Sequence, residues 1–236
     1  DDPNNELFAL MRVNTKYSGP PTILCQWSVK SEAELGPSKR PDNFTKSIID
    51  FCNGYGIKFD LTIQNMGWLE ATQTLNGSGP NRRFENKSAY MKKNFSDSEA
   101  KHIASIASEA PPEIASALIQ INSFGGVINS KRSDFNAYPH RNSILSLQWQ
   151  CYWEDVADDR VNIDWINNSY NSVYGEHGPL ESDKYEGCYI NYCDSHLPEQ
   201  SWPHLYYLEN YPRLQAAKSN WDPSNFFRFK QSIRPL

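Results

Sequence analysis

Ser143-Ile-Leu-Ser-Leu-Gln-Trp-Gln-Cys-Tyr-Trp153 alternates without a break. Leu145, Leu147, Trp149, Cys151 and Trp153 fall on one side. Ile144, Ser146, Gln148, Gln150 and Tyr152 fall on the other, because successive side chains of a strand point to opposite faces. A period of two held this long predicts a strand whose apolar face lies on a core. The amide-rich face suits a sheet with a polar ligand above it, and a solvated outer face fits the pattern equally.

Working outward from this strand, Leu7–Lys16 and Pro21–Lys30 read as the two arms of a hairpin joined by Ser-Gly-Pro-Pro. Ser31–Arg40 is a polar loop. Phe44–Asn53 predicts a helix capped by Asp42 or Asn43 and ended by Gly54 and Gly56. A strand is expected over Lys58–Ile63, then a long turn-rich connection over Gly67–Arg83. Ser96 or Asp97 caps a second helix with Ile103 and Ile106 inward. Ala117–Phe124 is a strand, broken by Gly125-Gly126 and resumed at Val127–Asn129. Asp158–Tyr174 places Val161, Trp165, Ile166, Tyr170 and Val173 at helical spacing. Trp202–Leu208 and Pro212–Trp221 are helical, the latter closed by Asp222-Pro223. The order predicts an α+β fold, a large antiparallel sheet with helices covering one face.

Lys184-Tyr-Glu-Gly-Cys-Tyr-Ile-Asn-Tyr-Cys-Asp194 is the chemically densest stretch. Read as a strand, it sets Tyr189 and Asn191 on one face and Tyr192 on the other, unless the strand ends or bulges there. A phenol becomes a proton acceptor only if something lowers its reference pKa of about 10. A core strand with phenols reaching solvent is the plainer reading.

The chain has 236 residues and a net charge of −5, without Lys/Arg clusters, which argues against a nucleic-acid surface. No apolar run reaches the roughly 18 residues that span a bilayer. Asp1-Asp-Pro-Asn-Asn-Glu6 reads as the start of a processed or fragmented chain. Cys25, Cys52, Cys151, Cys188 and Cys193 show no zinc spacing, and their odd number leaves at least one thiol free or paired outside the chain. Asn-x-Ser/Thr sequons at Asn43, Asn76, Asn86, Asn94 and Asn167 lean towards a secreted glycoprotein.

The histidines form no ligand pair, so a metal site is not expected. There is no G-x-S-x-G elbow, P-loop or G-x-G-x-x-G. Glu154, Asp155, Asp158 and Asp159 look like a solvated helix start. Aromatic and amide chemistry remains, and by itself it suits a carbohydrate-binding module as well as an enzyme.

Four C-terminal motifs carry a resemblance. They are Gly187-Cys-Tyr-Ile-Asn-Tyr-Cys-Asp194, Tyr207-Leu-Glu-Asn-Tyr-Pro-Arg-Leu-Gln-Ala-Ala-Lys218, Trp221-Asp-Pro-Ser-Asn-Phe-Phe227 and Gln231-Ser-Ile-Arg-Pro235. Together they resemble the C-terminal segment of the berberine bridge enzyme-like flavin oxidases. Thr74-Leu-Asn-Gly-Ser-Gly-Pro-Asn-Arg82, Lys87-Ser-Ala-Tyr-Met91, Phe124-Gly-Gly126 and Leu147-Gln-Trp-Gln-Cys-Tyr-Trp153 extend it towards the FAD-dependent sugar oxidases of that superfamily, over roughly residues 70–236.

The resemblance implies a substrate-binding domain over 1–180 and a berberine-like segment over 181–236 that returns to an FAD-binding domain. That domain, with its covalently tethered FAD, has no counterpart in this sequence and is expected on a second chain, unless the sequence is a fragment. The implied reaction takes the anomeric hydroxyl of a hexose or oligosaccharide to the lactone and reduces O2 to hydrogen peroxide. Tyr192 matches the family's catalytic base, Tyr189 and Asn191 match residues against the flavin, and Gln148 and Gln150 match the strand facing the sugar. Some relatives carry a carboxylate on this strand where this sequence has amides, which puts a carboxylate-assisted base in doubt. Oxidation of another alcohol on the same scaffold, or sugar binding without redox chemistry, are the alternatives.

Overall fold

A strand with a continuous apolar face needs a paired edge on each side, and Leu145–Trp153 has both. The computed structural model describes residues 7–28, 42–75, 79 and 81–236. The N-terminal hexapeptide, the ends of the second expected strand at Val29 and Lys30, the loop Ser31–Arg40, the cap side chains at Asp42 and Asn43, and the sequon at Asn76 lie outside the described residues.

The strands are β1 (Leu7–Asn14), β2 (Thr22–Trp27), β3 (Arg83–Met91), β4 (Ala117–Ser123), β5 (Leu145–Trp153) and β6 (Tyr185–Gly187). The helices are α1 (Asp42–Gly54), α2 (Trp68–Thr74), α3 (Asp97–Ser108), α4 (Asp159–Tyr174), α5 (Trp202–Tyr207) and α6 (Tyr211–Trp221). The six strands form one sheet in the order β2-β1-β4-β5-β3-β6, with antiparallel pairing from β1 through to β6.

The apolar face of β5 is realised as read. Leu147, Trp149 and Cys151 are fully buried, and they pack with Ala89 and Met91 of β3, Ile119 of β4, Ile103 of α3 and Ile166 of α4 in one core. The Trp149 ring meets Tyr170 and Tyr174 of α4 edge-on, with centroids 5.9 and 6.2 Å away. Helices α3 and α4 therefore cover the apolar face of β5. α3 starts with a capping box, the side chains of Ser96 and Glu99 each bonding the other's backbone N–H. A second, smaller core of Cys188, Leu197, Trp202, Leu205, Tyr206 and Tyr207 holds the C-terminal helices.

The chain divides into two compact units, residues 1–26 with 82–236, and residues 27–81. The second holds α1 and α2, and the strand expected at Lys58–Ile63 does not form. Ile57, Phe59, Leu61 and Ile63 alternate as a strand would, but remain exposed with no described strand edge in that unit to pair with. The expected connection Gly67–Arg83 contains α2, so it is not all turn.

Two further expectations are corrected, and one strand was not foreseen. β3, between β5 and the short β6, is not revealed by alternation, because its core face carries Glu85 and Lys87. Val127–Asn129 is a 3-10 turn (Gly126–Ser130), since Gly125 and Gly126 both take positive φ and turn the chain before it. The tyrosine-rich strand stops at Gly187, whose φ of 99° diverts the chain. Cys188 N–H then donates to Leu205 O at 2.8 Å, a carbonyl of α5.

Candidate active site

Paired residues of antiparallel strands share a face, so the register defines the surface opposite the helices. Asn86 pairs with Gln150, Ser88 and Gln120 with Gln148, and Tyr90 and Asn122 with Ser146. Gln120 also pairs with Arg12 of β1. Gln148 Nε2 lies 3.4 Å from Asn86 Oδ1, and Gln150 Oε1 accepts the Tyr152 hydroxyl at 2.8 Å. Both glutamines are half-buried on this amide-rich floor.

Tyr189, Asn191 and Tyr192 do not share a strand face; they sit on a turn beyond β6. Tyr192 N–H donates to Tyr189 O at 3.0 Å and closes it. Closing the turn brings the three side chains together despite the altered geometry. Asn191 Nδ2 donates to the Tyr189 hydroxyl at 2.6 Å, and the Tyr189 and Tyr192 rings meet edge-on at 5.1 Å. Burial pushes the Tyr192 phenol up from its ordinary pKa, and the neighbouring Tyr189 and Tyr152 push it the same way. Ser88 joins the turn to the amide floor, its Oγ accepting the Tyr189 N–H at 2.8 Å.

Behind Tyr189 lies an aromatic wall. Tyr90 stacks on His140 at 4.5 Å, and Tyr138 approaches both edge-on. Tyr90 and Tyr138 each lie about 6 Å from the Tyr189 ring. Burial holds His140 down at about 4, so it is neutral at physiological pH. The loop carrying it is fixed by Glu186 of β6, a buried carboxylate that accepts from the backbone N–H groups of Arg141 and Asn142 and from Ser143 Oγ at 2.6 Å.

The core side of β3 holds a charged cluster. Lys87 Nζ donates to Asp194 Oδ2 at 2.7 Å, with both side chains almost fully buried. Glu85, Asp194 and His196 bring ligand-type atoms within 4.8 Å of one another. The Lys87 ammonium already matches the Asp194 charge, so the cluster is an ion-pair network. Burial, then the Asp194 charge, raises Glu85 to about 7, while Lys87 opposes the shift.

A carboxyl whose folded pKa is raised stabilises the protein while protonated. That contribution is present below its unfolded value and is lost as pH rises through about 7. At about 1.4 kcal/mol per unit, this amounts to about 3 kcal/mol. His196, whose charge is disfavoured by burial and by Lys87, acts in the opposite direction. The unfolding free energy is therefore expected to fall between pH 5 and 8 in denaturant titrations, and Glu85→Gln to remove the fall. An unchanged fall in that variant would assign it to other groups.

The acidic run is structural. Glu154 pairs with Arg82 at 2.9 Å, Asp155 caps Ala157 N–H, and Asp159 binds Arg83 and Trp153 Nε1. Of the described sequons, Asn94 is exposed, Asn86 lies on the amide floor, and Asn167 has its amide oxygen buried without a partner. No described helix is long and apolar enough to cross a membrane.

An open antiparallel sheet with helices packed on it matches the α+β substrate domain of two-domain flavoenzymes. The chain belongs to the berberine bridge enzyme-like family, whose "Berberine and berberine like" domain matches residues 188–234. It is 40% identical over 183 residues to the hexose oxidase of Chondrus crispus, covering 69% of this chain and 33% of that protein. It is 32% identical over 196 residues to an aclacinomycin-N/aclacinomycin-A oxidase of Streptomyces galilaeus, covering 77% of this chain and 35% of that one. The crystal structure of CrmK, a flavoenzyme of caerulomycin biosynthesis, superposes with a TM-score of 0.86 at 29% identity, over 100% of this chain and 49% of CrmK. The chain thus spans about a third of the length of these curated relatives and about half of that structure.

Proposed function

We propose that the chain is the substrate-binding half of an FAD-dependent carbohydrate oxidase. It would oxidise the anomeric C–OH of a hexose or oligosaccharide to the lactone, with O2 reduced to hydrogen peroxide. The observation that carries this reading is the half-buried amide floor of Gln148 and Gln150, bonded to Asn86 and Tyr152, on the face of the sheet where Ser88 holds the turn bearing Tyr192. Amides that both donate and accept suit vicinal sugar hydroxyls. Gln148 and Gln150 hold the ring, and Tyr192 takes the proton from the anomeric hydroxyl.

Tyr189 and Asn191 face the flavin. The chemistry of the donor set fits the polar edge of its ring system, since Asn191 is exposed and its amide oxygen is not engaged by Tyr189. FAD, when bound, supplies the acceptor for the hydride that leaves the anomeric carbon. In this reading residues 1–180 form the substrate domain and 181–236 the segment that returns to the FAD-binding half. That half would carry the FAD covalently. The protein is secreted, with Asn94 the most exposed of the described sequons.

The test is made on the full flavin-loaded protein with glucose, galactose, maltose and cellobiose under air. One peroxide per lactone is expected from at least one of them. A flavin that sugars reduce but O2 does not reoxidise makes it a dehydrogenase, and a flavin that none of them reduces rejects the sugar reading. The identity to the aclacinomycin oxidase favours, as second reading, another alcohol on the same scaffold.

A further inference from the structure

Two consecutive residues of β3 grip the two ends of the turn that bears Tyr189, Asn191 and Tyr192. β6 pairs with β3 only at Tyr90 and Met91, so the turn wraps around the edge of β3 just beyond. Ser88 points to the amide face, and its Oγ accepts the Tyr189 N–H at 2.8 Å. Lys87 points to the core face, and its Nζ donates to Asp194 at 2.7 Å. Between these two holds the chain crosses from one face of the sheet to the other.

Nothing at the far hold is left loose. Asp194 N–H donates to the Tyr206 hydroxyl at 3.0 Å, and its carbonyl accepts Gln231 Nε2 at 2.7 Å. Its second carboxylate oxygen accepts His196 N–H at 2.9 Å. Tyr170 of α4 braces both holds, lying under Lys87 Nζ at 5.1 Å and donating to Ser88 O at 2.7 Å.

An apolar contact would anchor this segment at lower desolvation cost than a buried ion pair. What apolar packing lacks is direction: it lets a turn slide, whereas a charge-assisted hydrogen bond fixes one atom against another. We propose that Lys87 and Ser88 are positioning residues, a two-point clamp that sets the height of the Tyr192 phenol and the Tyr189–Asn191 pair above the amide floor. This rests on the reading of Tyr192 as the base. A merely structural Lys87–Asp194 pair would staple the C-terminal helices and leave turnover untouched once folding is preserved.

The experiment compares Lys87→Met/Asp194→Asn, Ser88→Ala and Tyr192→Phe in the full flavin-loaded enzyme, using the most active sugar of the panel above. The double variant removes both charges together, so no unpaired ion is left buried. It is expected to retain its flavin and to keep KM within about threefold, while kcat falls about 100-fold, the scale of an ångström's misplacement. Ser88→Ala removes a single hydrogen bond and is expected to lower kcat about 10-fold by the same route. If the double variant fails to fold, Ser88→Ala decides alone. A kcat within threefold of the parent in the folded variants, with Tyr192→Phe impaired, overturns the clamp and leaves the base intact. Parental turnover in Tyr192→Phe overturns the base assignment and the clamp with it.

Discussion

Tyr192→Phe is expected to lower turnover about 1000-fold while leaving flavin content and melting temperature near the parent's. Positioned general bases contribute roughly 100- to 10,000-fold, and this substitution removes only the oxygen that would take the proton. The ring remains, with its edge-on contact to Tyr189 at 5.1 Å, so packing in the turn is preserved. Burial, Tyr189 and Tyr152 all push the phenol up, so it is neutral at pH 7 and is no strong base within this chain. Only the phenolate can take the substrate proton, so the base is the small ionised fraction of Tyr192, which positive charge from an FAD-binding half would enlarge. The rate then climbs with pH as phenolate becomes available, and the climb should disappear in Tyr192→Phe. Stopped-flow reduction of the flavin across pH 6–10 reads both effects. Parental turnover, or a climb that persists in the variant, would put the proton elsewhere.

The parts legible in the sequence were those where one physical rule acted alone. β5 alternates cleanly because one of its faces meets only core. α4 shows its period because its apolar stripe packs on that same core. β3 escaped reading because two rules collide there. Its core face must carry Ala89 and Met91 for packing and also Glu85 and Lys87 for the ion-pair network. Charges at inward positions look like a surface until their partner Asp194, 107 residues on, is placed beside them. The tyrosine turn failed differently. Its residues were singled out for their chemistry, but its shape depends on Leu205 O taking the Cys188 N–H, a contact that alternation cannot see. A glycine at the last strand position was the available signal that the strand ends there. Glu186, His140 and Tyr138 were passed over because one buried carboxylate among loop residues carries no spacing pattern.

That glycine is the site of the other large effect, since Gly187→Ala is expected to destabilise the protein by about 4 kcal/mol or more. A Cβ at this position would lie 2.2 Å from Leu205 O and 3.1 Å from His140 Cε1. The oxygen belongs to the backbone of α5 and accepts the Cys188 N–H, so it cannot swing aside as a side chain would. A φ of 99° is itself strained for any residue with a Cβ, at about 1–3 kcal/mol. Forcing α5 away adds an overpacking cost of similar size. Gly178→Ala provides the comparison. It also has positive φ, at 76°, but its Cβ would meet only the Leu197 and Leu205 methyls and the Tyr170 hydroxyl, at 3.2 Å or more. Side chains can yield there, so about 1–2 kcal/mol is expected, the strain alone. Against a total stability of about 5–15 kcal/mol, the first loss depletes the folded state and the second does not. Denaturant titration of both variants separates the cases. If Gly187→Ala proves as mild as Gly178→Ala, α5 is free to retreat, and the turn bearing Tyr192 is not held against it.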